Sequence, residues 1–362
     1  MSEEPMETIQ RTLKECGGLT QFRLALTDWF RKEGRDYPWR RTRDPYAILV
    51  SEAMLQQTQI ATVLGRGYYD RWMLTFPDWQ TLAEASEEEV LKRWEGLGYY
   101  NRARNLWRTA KIVWHDLGGR FPEEAEAIRS LPGIGRYTAG AVVSFSFDRR
   151  AALVDGNVSR VLARIFACEE AVNATLGASL IWAWAEALVP EEEPGIFNSA
   201  LMELGQRICR PGVPDCAACP VRGGCLARLR GETERFPIKR KRTAITAGEE
   251  HVLFAARGGR VYLCPETGGR RRGLWRLPEI LDEEAVDLCE LFRFDYPITR
   301  YRVTLHVYEA ALNWIPPEEG SASGGGKWFE SDERSGFPPL GSPYRKALVR
   351  IAELREGLDL RG

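Results

Sequence analysis

From about residue 20 to 230, apolar side chains recur three and four positions apart, the spacing of helices with one buried stripe, and strand-like alternation is scarce. The segment beginning at Val158 shows the pattern best. Val158, Val161, Leu162, Ile165 and Phe166 fall on one helical face, with Arg160 and Arg164 off that stripe. This part of the chain therefore reads as all-α. The pattern breaks between Arg228 and Glu250, where RLRGETERFPIKRKRTAITAGEE is charged, contains a proline and lacks an apolar period, as a connector would. Beyond it, HVLFAARGGRVYLCPE predicts two short strands around a Gly-Gly turn, YRVTLHVYEAAL predicts a further strand, and Arg345 to Arg355 a closing helix. Pro316 to Pro343 is rich in Pro, Gly and Ser, and its SASGGG run predicts a mobile loop. The division expected is a helical region over 1–228, a linker over 229–249 and a smaller α+β domain over 250–362.

Length supports more than one domain, since 362 residues exceed what a single core usually holds. Charge adds little: 50 Lys plus Arg against 51 Asp plus Glu leaves −1, so attraction to a polyanion would have to come from local patches. No stretch reaches the ~18 consecutive apolar residues of a membrane span. The opening MSEEPMETIQ lacks the basic and apolar regions of a signal peptide. A soluble, cytoplasmic protein is the expectation, with no membrane partner. In such a compartment the eight cysteines, four of them between 209 and 225, suit metal ligation better than a disulfide framework.

Four constellations carry chemistry. Cys209, Cys216, Cys219 and Cys225 are spaced C-x6-C-x2-C-x5-C, a compact set of four soft thiolate ligands; spacing alone leaves zinc and an iron-sulfur cluster both open. In LPGIGRYTAGAV, Gly133 and Gly135 sit between one helix's end and the next helix's start, where backbone N–H groups and the positive helix end suit a phosphate oxygen; a plain turn is the alternative. In VDGNVSRV, Asp155 stands at a helix N-cap with Asn157 in the first turn. As a cap it is only structural, but backbone N–H bonds and the helix dipole would also hold it ionised, as a fixed anion for a cationic transition state. In DPYAILVSEAMLQQTQIATV, Glu52 is the sole acid between Asp44 and Asp70. Buried, it would be a general acid near neutral pH; exposed, an ordinary surface charge.

Glu-bearing helix, hairpin, Asp-bearing helix and cysteine cluster, in that order, resemble the helix-hairpin-helix glycosylase superfamily and, within it, the MutY-type adenine DNA glycosylases. The resemblance spans about residues 20 to 230, through YPWR, DPYAILVSEAMLQQTQ, WEGLGYYNRARNL, LPGIGRYTAGAV, VDGNVSRVLARIF, FNSALMELGQRIC and the cysteine spacing. It implies a helix-hairpin-helix fold with an iron-sulfur loop at 209–225 that binds a 4Fe-4S cluster. Bifunctional relatives similar to endonuclease III place a lysine nucleophile in the hairpin; here that position is Tyr137. The implied enzyme is therefore monofunctional: Glu52 protonates the departing adenine at N7, Asp155 stabilises the oxocarbenium ion, and Tyr137 and Asn157 orient the carboxylates and water.

Base excision needs an extruded nucleotide, and the resemblance assigns Gln57 and Tyr99 as wedges and Trp39 and Arg40 as lining of the adenine pocket. Core packing is the competing reading for Tyr99. RRRGLWRLPEI is similar to a stretch of the Nudix-like domain that these enzymes use to read 8-oxoguanine, without the catalytic Nudix box. Where the family carries Phe-Ser-His, this chain has Ile298, Thr299, Arg300 and Tyr301; Thr299 keeps a hydroxyl, and Arg300 can donate to a guanine edge or contact phosphate. The function implied is hydrolysis of the N-glycosidic bond of adenine mispaired with 8-oxoguanine or guanine in duplex DNA, by a monomer. The alternatives are a mismatch thymine or uracil DNA glycosylase and a catalytically silent iron-sulfur DNA-binding protein.

Overall fold

The computed structural model describes residues 5–240, 246–266, 271–298, 301–311, 314–316, 325–330 and 337–359. Two compact units divide the chain: residues 1–57, 78–80 and 108–241 form one, and residues 58–77, 81–107 and 242–362 the other. No described helix is long and apolar enough to cross a membrane.

The first unit is helical, as the periodicity predicts. Its Pro45–Leu55 helix starts where Asp44 accepts the Tyr46 N–H and a proline occupies the first turn. Residues Tyr46 to Met54 are buried in unbroken succession, the signature of a helix surrounded by protein on all sides. The stripe at Val158 belongs to the Gly156–Ile165 helix and packs with Phe22, Leu26, Trp184, Phe197, Leu201 and Leu204 in the main core. Arg160 and Arg164 lie off the apolar stripe and are nonetheless buried, Arg164 to 2% exposure. Their guanidiniums face backbone carbonyls of the cysteine loop and its flanks, and charge-assisted hydrogen bonds there offset the cost of desolvation.

The second unit combines helices such as Tyr68–Thr75 and Glu87–Trp94 with, among the described residues, eight strands. The Glu87–Trp94 helix opens on a capping box, Ser86 and Glu89 each satisfying the other's backbone N–H. The strands are β1 (Thr246–Phe254), β2 (Ala256–Arg257), β3 (Arg260–Pro265), β4 (Trp275–Arg276), β5 (Glu279–Ile280), β6 (Glu290–Ile298), β7 (Tyr301–Glu309) and β8 (Lys327–Glu330). One sheet runs β5-β1-β7-β6 with β1 and β7 parallel; the other runs β2-β3-β4 with β8 on β3. Gly258 and Gly259, both at positive φ, make the turn expected between β2 and β3. Strand β1 starts at Thr246, four residues inside the stretch read as linker, because cross-strand pairing with β7 orders it where local composition gives no signal. Tyr344, Ala347 and Ile351 of the closing Ser342–Asp359 helix pack on Val252, Phe254, Leu305 and Val307.

Candidate active site

Glu52 is 5% exposed on its all-buried helix. That helix packs against the Arg136–Ser146 helix, and Gln56 Nε2 donates to Thr138 Oγ1 across the contact at 3.4 Å. The packing brings the Tyr137 hydroxyl into hydrogen-bond contact with the Glu52 carboxyl. Burial raises Glu52 from 4.5 to about 7; the Tyr137 hydrogen bond opposes the shift and the Asp155 charge adds to it. Tyr137 itself is pushed well above the usual phenol range, by burial first and then by Glu52 and Asp155, so its hydroxyl keeps its proton. Two carboxyl groups and a neutral phenol thus meet, one carboxyl being a half-protonated acid at neutral pH.

Asp155 caps the Gly156–Ile165 helix: its Oδ1 accepts the Val158 N–H at 2.7 Å and its Oδ2 the Asn157 Nδ2–H at 2.8 Å. The cap bonds expected to favour its ionised form are present, and burial works against them. Burial raises Asp155 above the usual carboxylate value against the opposing pull of Val158, Asn157 and Arg160. Desolvation is not legible from a cap motif.

Several supporting residues escaped the motif reading. Arg160 donates to Asn157 Oδ1 at 2.9 Å, to the Gly205 carbonyl at 2.7 Å and to the Cys209 carbonyl at 2.7 Å, so one guanidinium ties the Asn157–Asp155 pair to the first cysteine. Its place beside the apolar stripe, one turn beyond Asn157, was the available signal. Asn198, buried on the Pro194–Arg207 helix, donates to the Ala151 carbonyl at 2.8 Å and fixes the strand-like approach to Asp155. Two glycines allow the close packing: a Cβ on Gly140 would collide with the Ala152 carbonyl oxygen, and one on Gly205 would lie 2.7 Å from Asn157 Cβ.

In the hairpin, Gly133 takes φ +73° and Gly135, exposed and extended, starts the Arg136–Ser146 helix with open space where a Cβ would stand. Backbone at this helix N-terminus is thus open to an anion's approach. Gln57 and Tyr99 share a feature: both are non-glycine residues in the left-handed region, at φ +59° and +47°. Tyr99 is 50% exposed, which removes it from the core. Its loop is held by Arg102, which donates to the Leu97 and Gly98 carbonyls at 3.0 Å and lies over the Trp94 and Tyr99 rings. Arg40 contacts buried Glu203 as an ion pair and sits over the Phe30 and Tyr37 rings, while Trp39 stacks on Tyr37 at 5.3 Å. Glu203, which also accepts from Arg207 and the Arg35 N–H, makes YPWR part of a charge network that the sequence did not disclose. Thr299 and Arg300 lie outside the described residues, as does most of the SASGGG run.

Cys209, Cys216, Cys219 and Cys225 line one small cavity with Val161, Ile165, Leu204 and Ile208. Burial pushes the Cys219 thiol up to about 12 and the Cys225 thiol to about 11, so ionising them in this cavity calls for a cation among them. Arg164 donates to Cys209 Sγ at 3.4 Å.

Residues 50–184 match the family model of HhH-GPD superfamily base excision DNA repair proteins. A solved structure, a thermostable thymine-DNA glycosylase, is 32% identical, with a TM-score of 0.53 over 59% of this chain and 97% of that one. The chain belongs to the HhH-GPD superfamily of base excision DNA repair proteins. Curated relatives carry a more particular name: the adenine DNA glycosylase of Homo sapiens is 46% identical over 62% of this chain and 42% of its own length, and that of Arabidopsis thaliana 38% identical over 76% and 51%. The chain spans about half the length of these relatives.

Proposed function

We propose that this chain is a monofunctional DNA glycosylase that hydrolyses the N-glycosidic bond of adenine mispaired with 8-oxoguanine or guanine in duplex DNA. The observation that carries the reading is Glu52, a fully buried carboxyl poised at about 7 and bonded to the hydroxyl of Tyr137. In its protonated form Glu52 supplies a proton to the departing base at N7 as the C1′–N9 bond breaks and the bonding electrons leave with the base. Asp155, fixed by Val158 and Asn157, faces the positive charge that develops on the sugar. Water adds to C1′ and gives up its proton, so the products are free adenine and an abasic site. Tyr137, neutral and lacking an amine, forms no Schiff base, and strand cleavage by elimination is not expected.

The exposed left-handed residues Gln57 and Tyr99 act as wedges in this reading, the Gly133–Gly135 turn holds phosphate, and Trp39 lines the base pocket beside Arg40. The second unit's strands form a Nudix-like module that reads the opposite base, with Thr299 and Arg300 as its contacts. A 4Fe-4S cluster suits the four cysteines. Among the described residues, the trio with ligand atoms all within 4.8 Å of one another is Glu249, His251 and His306. No three of the four described thiols gather within that distance, whereas a tetrahedral zinc ion holds its sulfurs roughly 3.8 Å apart. When bound, the cluster supplies a rigid anchor for this loop, which Arg160 links to Asn157.

The likeness to a thymine-DNA glycosylase supports a second reading, release of thymine from T·G pairs. Labelled duplexes holding adenine opposite 8-oxoguanine, guanine or thymine, and a T·G duplex, separate the two when base loss is scored with and without alkali. Alkali-dependent cleavage of the adenine strand, absent in Glu52→Gln, is the expected result; release of thymine alone would transfer the assignment to the second reading.

A further inference from the structure

The chain has three histidines, and two of them meet on the second unit's larger sheet. His251 on β1 and His306 on β7 are partners in the parallel register, their rings face to face with centroids 4.6 Å apart. Both are mostly buried. Glu249, two residues earlier on β1, points to the same face of the sheet, and one ligand atom from each of the three lies within 4.8 Å of the others.

The two imidazoles are oriented alike. Tyr308 Oη lies 3.0 Å from His251 Nδ1, and Glu290 Oε2 lies 3.3 Å from His306 Nδ1. Each ring therefore has Nδ1 engaged by an oxygen, leaving Nε2 as the available lone pair, the arrangement by which proteins orient metal-binding histidines. His306 Nε2 is buried and has no hydrogen-bond partner. His251 Nε2 faces acids on two sides, Glu249 Oε2 at 3.8 Å and Asp282 Oδ1 at 3.5 Å. Arg293, opposite His306 on β6, lies 3.9 Å from Glu290. A core hydrogen-bond network would pair every buried nitrogen; this one leaves a nitrogen open beside an imidazole and a carboxylate.

We propose that Glu249, His251 and His306 bind one divalent transition-metal ion of the zinc class, with Asp282 in reach as a fourth ligand. Two imidazoles and carboxylate oxygens match the preference of such ions for nitrogen and oxygen donors. Ligand atoms of a bound ion lie about 3.4 Å apart, so the three must close by at most roughly 1.5 Å, within the reach of small ring tilts. The ion would cross-link β1 to β7, fastening the strand that follows the interdomain segment to the middle of the sheet. Its ligand set is separate from the cysteines and independent of the glycosylase reading.

The test uses cluster-loaded protein stripped of loosely held metal and titrated with Co2+ and then Zn2+. Wild type is expected to bind one equivalent, with visible d–d bands of a nitrogen- and oxygen-ligated Co2+ and no sulfur charge-transfer band, and Zn2+ is expected to raise its thermal midpoint. His306→Gln and His251→Gln should weaken binding about 100-fold and abolish the thermal shift. Glu290→Gln, acting only through His306, should weaken it about tenfold. Glu249→Gln changes a largely exposed carboxylate and keeps the test valid should a histidine variant misfold; a loss of about tenfold or more is expected. No stoichiometric binding, a sulfur band, or unchanged affinity in Glu249→Gln and both histidine variants would each overturn the proposal.

Discussion

The helical unit and the larger sheet both gather titratable groups, by opposite means. Around Glu52, helices from distant parts of the chain are pressed together so closely that a Cβ would clash at Gly140 and Gly205, and burial sets the chemistry. On the sheet, strand register alone sets His251 beside His306, at a face edged by the more exposed Glu249 and Asp282. Deep burial tunes a proton, whereas cross-strand register positions lone pairs. The first needs exact packing; the second needs only the correct pairing of two strands.

Substitutions at the deep site should give the largest effects. Glu52→Gln removes the proton donor but keeps the shape, and base release in single turnover should fall about 10³-fold, in the range of general acid catalysis. Retention of more than a tenth of wild-type rate would show that burial is not the source of the chemistry. Gly140→Ala should destabilise the protein by about 3 kcal/mol in denaturant titration, because the new methyl meets the rigid Ala152 carbonyl. A matching change on the sheet face, Asp282→Asn, should cost less than about 0.5 kcal/mol, which sharpens the contrast between packing and register.

Arg160→Gln tests the link between the acids and the cysteine loop. Base release should drop about 30-fold, as for residues that orient others, and on the proposed reading of the cysteines the visible absorbance of the cluster should fall in part. An unchanged rate with an unchanged cluster would break the link.

The pH dependence follows from the sign of the Glu52 shift. Its folded value, about 7, lies above the ordinary 4.5, so the native state binds this proton more tightly than the unfolded chain does. The stability it lends is full below about 4.5 and is lost as pH rises through 7. Glu52→Gln should therefore melt with wild type at pH 4 and above it at pH 8, by up to about 3 kcal/mol. Base release should decline above pH 7 as the acid ionises. A modest effect of opposite sign is expected at Gln57: Gln57→Gly relieves a left-handed backbone and should stabilise the fold by about 1 kcal/mol while slowing base release. Slower release without added stability would locate the loss in the side chain alone.

Much of this molecule was legible in its sequence. The helical region, the Gly258–Gly259 turn, strand β7 and the closing helix follow from periodicity and turn residues, because those signals are local. The two carboxyls and the four cysteines each stand in a motif of fixed spacing, and the structure brings Glu52 near Asp155 and the four cysteines around one cavity. Sequence alone left open whether Glu52 was buried, and it showed the cap bonds at Asp155 but not the burial that opposes them, because desolvation depends on what other segments cover. It placed Arg160 and Arg164 off the core stripe but could not show that the cysteine loop's carbonyls would fold over them. It gave no sign that His251 and His306, 55 positions apart, would face each other, as that follows only from which residues of two parallel strands are paired. Sequence determined which groups are present and which elements carry them; tertiary packing decided which of them are dry, and which are neighbours, because burial and long-range register are properties of segments brought together rather than of any one segment.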